Sequence, residues 1–369
     1  MPRLSAVLST AAALGLSACL AATLASCGDS TSSSTTAPGS SATSQSSMSA
    51  LDSFLSGYVT SDGAVLRRDQ GNDVVSEGQA YAMLVAEEAG RTDLVKAIWS
   101  WTKDHLSVSD GLLAYHADSQ GRILDRQPAA DADVLTAYAL LRYDGPDAAT
   151  LHSDGRALAS AVLRGETTTD SQGRPVLVAG PWAVKDGVVD PSYLMPAVFD
   201  ELARLTGDSR WKGLAATSLG LVDGVTDHGR TLPPDWARLE GDHLVATGSG
   251  GGSGSPQYGP DAQRVPMWFA TACQPEPHQL AAAWWTVLQQ ENRSSATALG
   301  LDGSTVDDSG SSVALLAAAA SAQAAGDSNG ASDLEAGATQ SNQGHATYYG
   351  SAWLALWPAL RDGSLAPCS

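Results

Sequence analysis

Positive charge is scarce in this chain: 21 Lys and Arg stand against 40 Asp and Glu, for a net charge of -19. Such an acidic surface argues against nucleic acid and polyanionic substrates as partners, and leaves neutral or cationic polymers open. Cysteine is scarce as well. Of four, Cys19 and Cys27 fall at the start, leaving Cys273 and Cys368 for the rest of the chain. The seven histidines are scattered, and neither H-E-x-x-H nor Cys-x-x-Cys occurs, so no metal and no cofactor is expected. Strand patterns are few and short, at 112–115, 175–178 and 243–247. An internal repeat of about 34–47 residues, the mark of an open helical solenoid, is missing too.

What is present begins with an export pattern. Arg3 precedes an Ala/Leu-rich run over 6–24, and Leu24-Ala25-Ser26-Cys27 follows. A weakly basic start, an apolar segment and small residues ahead of a cysteine read as a lipoprotein signal over 1–26, with Cys27 lipidated. Leu16-Ser17-Ala18-Cys19 fits the same pattern; the polar tail directly after Cys27 favours the later site. An ordinary secretory signal is the plainer alternative. Residues 27–47 are Ser/Thr-rich with little to bury, and read as a flexible tether. The expected product is a monomer, lipid-anchored at the cell surface or in the periplasm, with one domain over 48–369. Export leaves a Cys273–Cys368 disulfide open.

Within that domain, apolar residues recur at helical spacing near 46–59, 76–90, 92–106, 131–143, 147–164, 191–206, 209–223, 265–274, 277–290, 311–325, 330–341 and 348–361. Close pairs joined by Gly stops and Asp or Ser restarts, as at 90–93 and 207–209, predict paired helices. An all-α fold follows. Without a repeat, and with long unequal connections at 107–130, 165–190 and 224–260, a closed (α/α)6 barrel with a cleft at one mouth suits it best. The Gly/Ser stretch 247–255 is expected to be mobile, either a lid or a tolerated insertion.

Three segments place carboxylates at helix starts. Ser76 with Gln79 resembles a capping box, which puts Glu77 in a first turn, with Gly78 leaving room for a ligand. Its plainer role is to complement the helix dipole, worth about 0.3–1 kcal/mol. Asp131 and Asp133 open another apolar helix, where Asp131 alone would pass for an N-cap. Asp261 and Arg264 precede Pro266, read as a helix start, and their plainer role is a local ion pair. Trp outnumbers Phe by 10 to 3. Trp99 and Trp268 are assigned to the core, whereas Trp182 and Trp236, in long connections, are candidate sugar platforms.

Taken together these segments resemble glycoside hydrolase family 8, a bacterial endoglucanase family. Ser76-Glu77-Gly78-Gln79 is similar to its general-acid segment, and Ala129-Ala130-Asp131-Ala132-Asp133 to its signature, with Ala130 in place of a hydroxyl residue. Asp190-Pro191-Ser192-Tyr193, Pro234-Asp235-Trp236 and Asp261-Ala262-Gln263-Arg264-Val265-Pro266 follow in family order. The residue before the last of these motifs is Pro260, with Tyr258 two positions before that proline. The resemblance implies an inverting endo-hydrolase of β-1,4-glucan, with Glu77 as acid, Asp261 as base and Asp131 tuning Glu77 while holding a sugar hydroxyl. Asp133, Tyr193, Trp182, Trp236, Tyr258 and Arg264 would contact the polysaccharide.

Rival readings are a carbohydrate-binding lipoprotein without catalysis, a helical-barrel lyase or exo-hydrolase, and a chitosanase or xylanase of the same family. Gly326-Asp327-Ser328-Asn329-Gly330 matches the serine-hydrolase G-x-S-x-G pattern, but it joins two helices instead of following a strand.

Overall fold

The computed structural model describes residues 41–368. The expected signal over 1–26, its lipidation site Cys27 and most of the tether lie outside the described residues. Twelve α-helices are found among the described residues: α1 (Ser41–Tyr58), α2 (Ser76–Glu88), α3 (Thr92–Leu106), α4 (Ala130–Arg142), α5 (Ala148–Gly165), α6 (Pro196–Thr206), α7 (Arg210–Val225), α8 (Arg264–Ala270), α9 (Pro275–Leu288), α10 (Ser312–Ala324), α11 (Ser328–Gly344) and α12 (Tyr348–Arg361). Each expected helix is there. The first starts at Ser41, inside the stretch expected to be tether.

Even-numbered helices pack on one another in sequence, α2 on α4, α4 on α6, α6 on α8, α8 on α10 and α10 on α12, and α12 returns to α2. That closure makes an inner ring of six. Odd-numbered helices lie against them, α3 on α2, α5 on α4, α7 on α6, α9 on α8 and α11 on α10, while α1 covers α12 and α2. The arrangement is the (α/α)6 barrel. Burial explains the assignment: α4 is buried along nearly its whole length, and α10 likewise, whereas α3 and α5 bury one face only. Small residues let the layers approach. A Cβ on Gly155 of α5 would sit 2.9 Å from Leu141 and 3.1 Å from the Ala137 carbonyl of α4.

Connections at one end carry the small sheets. Residues His243–Thr247 and Pro175–Leu177 are strands, as expected; 112–115 is not, and the strand there is His116–Ala117, paired with Val74–Val75 and Ile123–Asp125. Trp236–Glu240 pairs with His243–Thr247 in an antiparallel hairpin. The Gly/Ser stretch beyond it is tied back, Gly248 pairing with Gly252 and Arg238 donating to the Gly251 carbonyl. The G-x-S-x-G segment joins α10 to α11, and its Asp327 caps α11. A Cys273–Cys368 disulfide fastens the chain end to the turn after α8.

Candidate active site

The acidic segments converge because each opens, or immediately precedes, an inner helix, and those starts share one mouth of the ring. Glu77 is the second residue of α2 and Asp131 the second of α4. Asp190 precedes the turn into α6, Asp261 stands just ahead of α8, and Tyr348 opens α12. Local details differ from the sequence reading. The helix does begin at Ser76, yet not through a capping box. Val75 is the cap residue, and Gln79 turns inward to the Val65 amide, the Gly63 carbonyl and Thr102. Asp131 is not an N-cap either, since that place belongs to Ala129. Pro266 is the third residue of α8, so Arg264 is the first; α6 likewise starts at Pro196, because Pro191–Tyr193 forms a separate 3-10 turn.

Arg264 is the hub. Its side chain is 2% exposed, and its guanidinium reaches Glu77 at 3.1 Å, Asp131 at 3.1 Å, Asp261 at 3.0 Å and Asp190 at 3.5 Å. It also donates to the Tyr81 hydroxyl and lies over the Tyr193 ring, 5.4 Å from its centroid. A buried cation so surrounded organises acids rather than meeting polymer, which corrects its expected role as a substrate contact. Glu77 and Asp261 bind different amino groups of one guanidinium. Their contacting oxygens therefore lie no more than about 8 Å apart, a ceiling that admits the lower part of the about 6.5–9.5 Å range of an inverting pair.

The two carboxylates sit in unlike surroundings. Glu77 is 19% exposed and Asp261 39%. Burial, helped by the charges of Asp131 and Asp261, pushes Glu77 up to about 7 against the pull of Arg264. Tyr348 donates to its other oxygen at 3.4 Å. The space at Gly78 serves that tyrosine: a Cβ there would stand 2.6 Å from the Tyr348 hydroxyl, so the expected ligand room is filled by the protein itself. Asp131 is buried and also raised, by desolvation first, while its free edge accepts the Ala132 amide.

Other expected contacts separate into two groups. Tyr193 is half-buried beside Arg264, and Trp182, 38% exposed, lies 6.4 Å from half-buried Trp236, so the two indoles form one platform. Asp133 and Tyr258 do not reach a cleft. Asp133 is fully buried, accepts the Leu113 amide and faces Glu166, and burial pushes both acids well above the usual carboxylate range. Tyr258 is buried too, its backbone paired with Leu299. Both are corrections. Tyr81, Tyr348 and Tyr349, the last bonded to the Pro260 carbonyl, were not singled out from sequence. Tyr-Tyr at the head of an apolar helix was the only signal for the latter two.

Known proteins share stretches of this sequence and its fold. A curated probable endoglucanase of Novacetimonas hansenii is 31% identical over 244 residues, 62% of this chain and 68% of that protein. An endoglucanase of Cellulomonas uda is 25% identical over 248 residues, 65% of this chain and 67% of that one. The solved endo-beta-1,4-glucanase CMCax from Acetobacter xylinum superposes with a TM-score of 0.70 at 23% identity, covering 86% of this chain and 98% of its own. The model of glycosyl hydrolases family 8 matches residues 15–362, and the chain belongs to that family.

Proposed function

We propose that the chain is an endo-acting β-1,4-glucanase that inverts the anomeric centre. One observation carries the reading: a half-buried Glu77, its pKa raised, and a more exposed Asp261 are held on different amino groups of one guanidinium. Glu77 protonates the glycosidic oxygen as the bond breaks. Asp261, open to solvent, takes the proton of a water attacking the opposite ring face. Asp131 lies beside the acid, where its charge keeps the Glu77 proton in place; buried, with its oxygens on Arg264 and the Ala132 amide, it acts through Glu77 and not on the sugar. Sugar rings stack on the Trp182–Trp236 platform, with Tyr193 flanking the centre. Names of the relatives favour β-1,4-glucan as substrate.

A panel of carboxymethylcellulose, barley glucan, chitosan and xylan tests the proposal, run with wild type, Glu77→Gln and Asp261→Asn. The expected result is cleavage of a β-glucan, lowered by about 10²–10⁴-fold in each variant, with the α-anomer appearing first by proton NMR. First appearance of the β-anomer would refute inversion. Binding without cleavage would leave a carbohydrate-binding protein, and preference for chitosan or xylan would move the substrate within the family. Export and lipidation at Cys27 are proposed from the leader alone. Labelled palmitate should enter the wild type and not Cys27→Ser; label retained in that variant would move the site to Cys19.

A further inference from the structure

Asp235 lies behind the proposed base, and the mechanism above does not use it. It directly precedes the strand Trp236–Glu240 and is 7% exposed. Among the described residues no Lys, Arg or His pairs with it. Its partners are two backbone amides and one neutral side chain instead. Oδ1 accepts from the amides of Gly259 at 2.9 Å and Ala262 at 2.8 Å, which bracket Asp261. Oδ2 accepts from the Gln257 side chain at 3.2 Å, and the Asp235 amide donates to the Gln257 carbonyl. The 257–262 loop is thus wrapped around a single carboxylate.

Gly259 makes the wrapping feasible. A Cβ at that position would stand 2.3 Å from Asp235 Oδ2. Its φ is not among the positive values, so space and not backbone conformation demands the glycine. Burial and the charge of Asp261 push the Asp235 carboxyl up to about 6. It is therefore ionised at neutral pH, where hydrogen bonds from amides to a charged acceptor are strongest.

We propose that Asp235 is the positioning residue of the base: its carboxylate grips the Gly259 and Ala262 amides, one on each side of Asp261, and so aims that side chain. Because Trp236 follows it in the chain, the same grip sets the span between the sugar platform and the water-activating carboxylate. The inference rests on the reading of Asp261 as base, and Asp261→Asn serves to separate the two.

The experiment compares kcat and KM of wild type, Asp235→Ala, Asp235→Asn, Gly259→Ala and the Asp235→Ala/Gly259→Ala double variant on the soluble polymer that the wild type cleaves. Misaiming by about 1 Å costs about 100-fold. Asp235→Ala and Gly259→Ala should each lose kcat on that scale, with KM within about threefold of wild type. Asp235→Asn, whose Oδ1 still accepts both amides, should keep kcat within about tenfold. The double variant should be no worse than Asp235→Ala, since the nearest collision partner is gone and the Gln257 side-chain amide, 3.0 Å from the added Cβ, can turn away. Gly259→Ala at wild-type kcat, while Asp261→Asn is inactive, would overturn the proposal. So would equal losses in Asp235→Asn and Asp235→Ala, which would make charge the cause. If Asp235→Ala does not fold, Gly259→Ala and Asp235→Asn decide. Full activity in Asp261→Asn would remove the base assignment and this inference with it.

Discussion

Removing a negative charge beside Glu77 must weaken its hold on the proton, because the Asp131 charge is one of the causes that raise it. Under the proposed mechanism activity falls as pH rises through about 7, where Glu77 deprotonates. Asp131→Asn should therefore move the alkaline limb of the kcat profile to lower pH; an unmoved limb would show that Asp131 does not tune the acid. Stability carries the same signature. The folded state holds the Glu77 proton up to about 7, whereas the unfolded chain releases it near the ordinary 4.5. That contribution is fully present below the lower value and lost as pH rises through the upper, at most on the order of 3 kcal/mol. Glu77→Gln, which cannot ionise, should match wild type in thermal unfolding at pH 4 and exceed it at pH 8. At this scale much of the site was legible in the sequence. Glu77, Asp131, Asp261 and Arg264 were recognised by motif, and all four meet. Hidden were the partners that approach from distant segments, Tyr348, Tyr81 and the Asp235 grip, because no spacing along a chain encodes a contact across a ring.

Helix ends show where local rules succeed and where packing overrides them. The start of α2 is where Ser76 suggested, yet Gln79 finds better partners in the buried 63–65 turn than in a cap. Pro266 is tolerated inside the first turn of α8, as its missing N–H costs nothing there. True side-chain caps appear on α10, α11 and α12, where Ser311 accepts from Ala314, Asp327 from Gly330 and Thr347 from Gly350. Thr347 deserves a test because the helix it caps begins with Tyr348, which touches Glu77. Thr347→Ala should cost about 1 kcal/mol in chemical denaturation, with no shift of the pH optimum. A shift would mean that the cap also sets the Tyr348–Glu77 contact.

For the molecule as a whole, the twelve-helix count and the barrel were readable from periodicity and the lack of a repeat. Which helices face inward was not, because amphipathic and wholly apolar helices alternate only loosely in sequence. The disulfide acts at this scale, closing a segment of 95 residues between α8 and the chain end. Cys273→Ser should lower unfolding stability by about 2–5 kcal/mol, and a reducing agent should do the same to wild type and nothing further to the variant.

Ring closure has a consequence for connectivity. A circle of helices has no first or last member: α12 seals against α2, and α1 lies along α12. The order of the chain is then a convention that the packing does not enforce. Joining the start of α1 to the end of α12 by a linker and opening the chain in the 289–297 connection should yield a permuted protein that still closes its circle and still gathers its acids at one mouth.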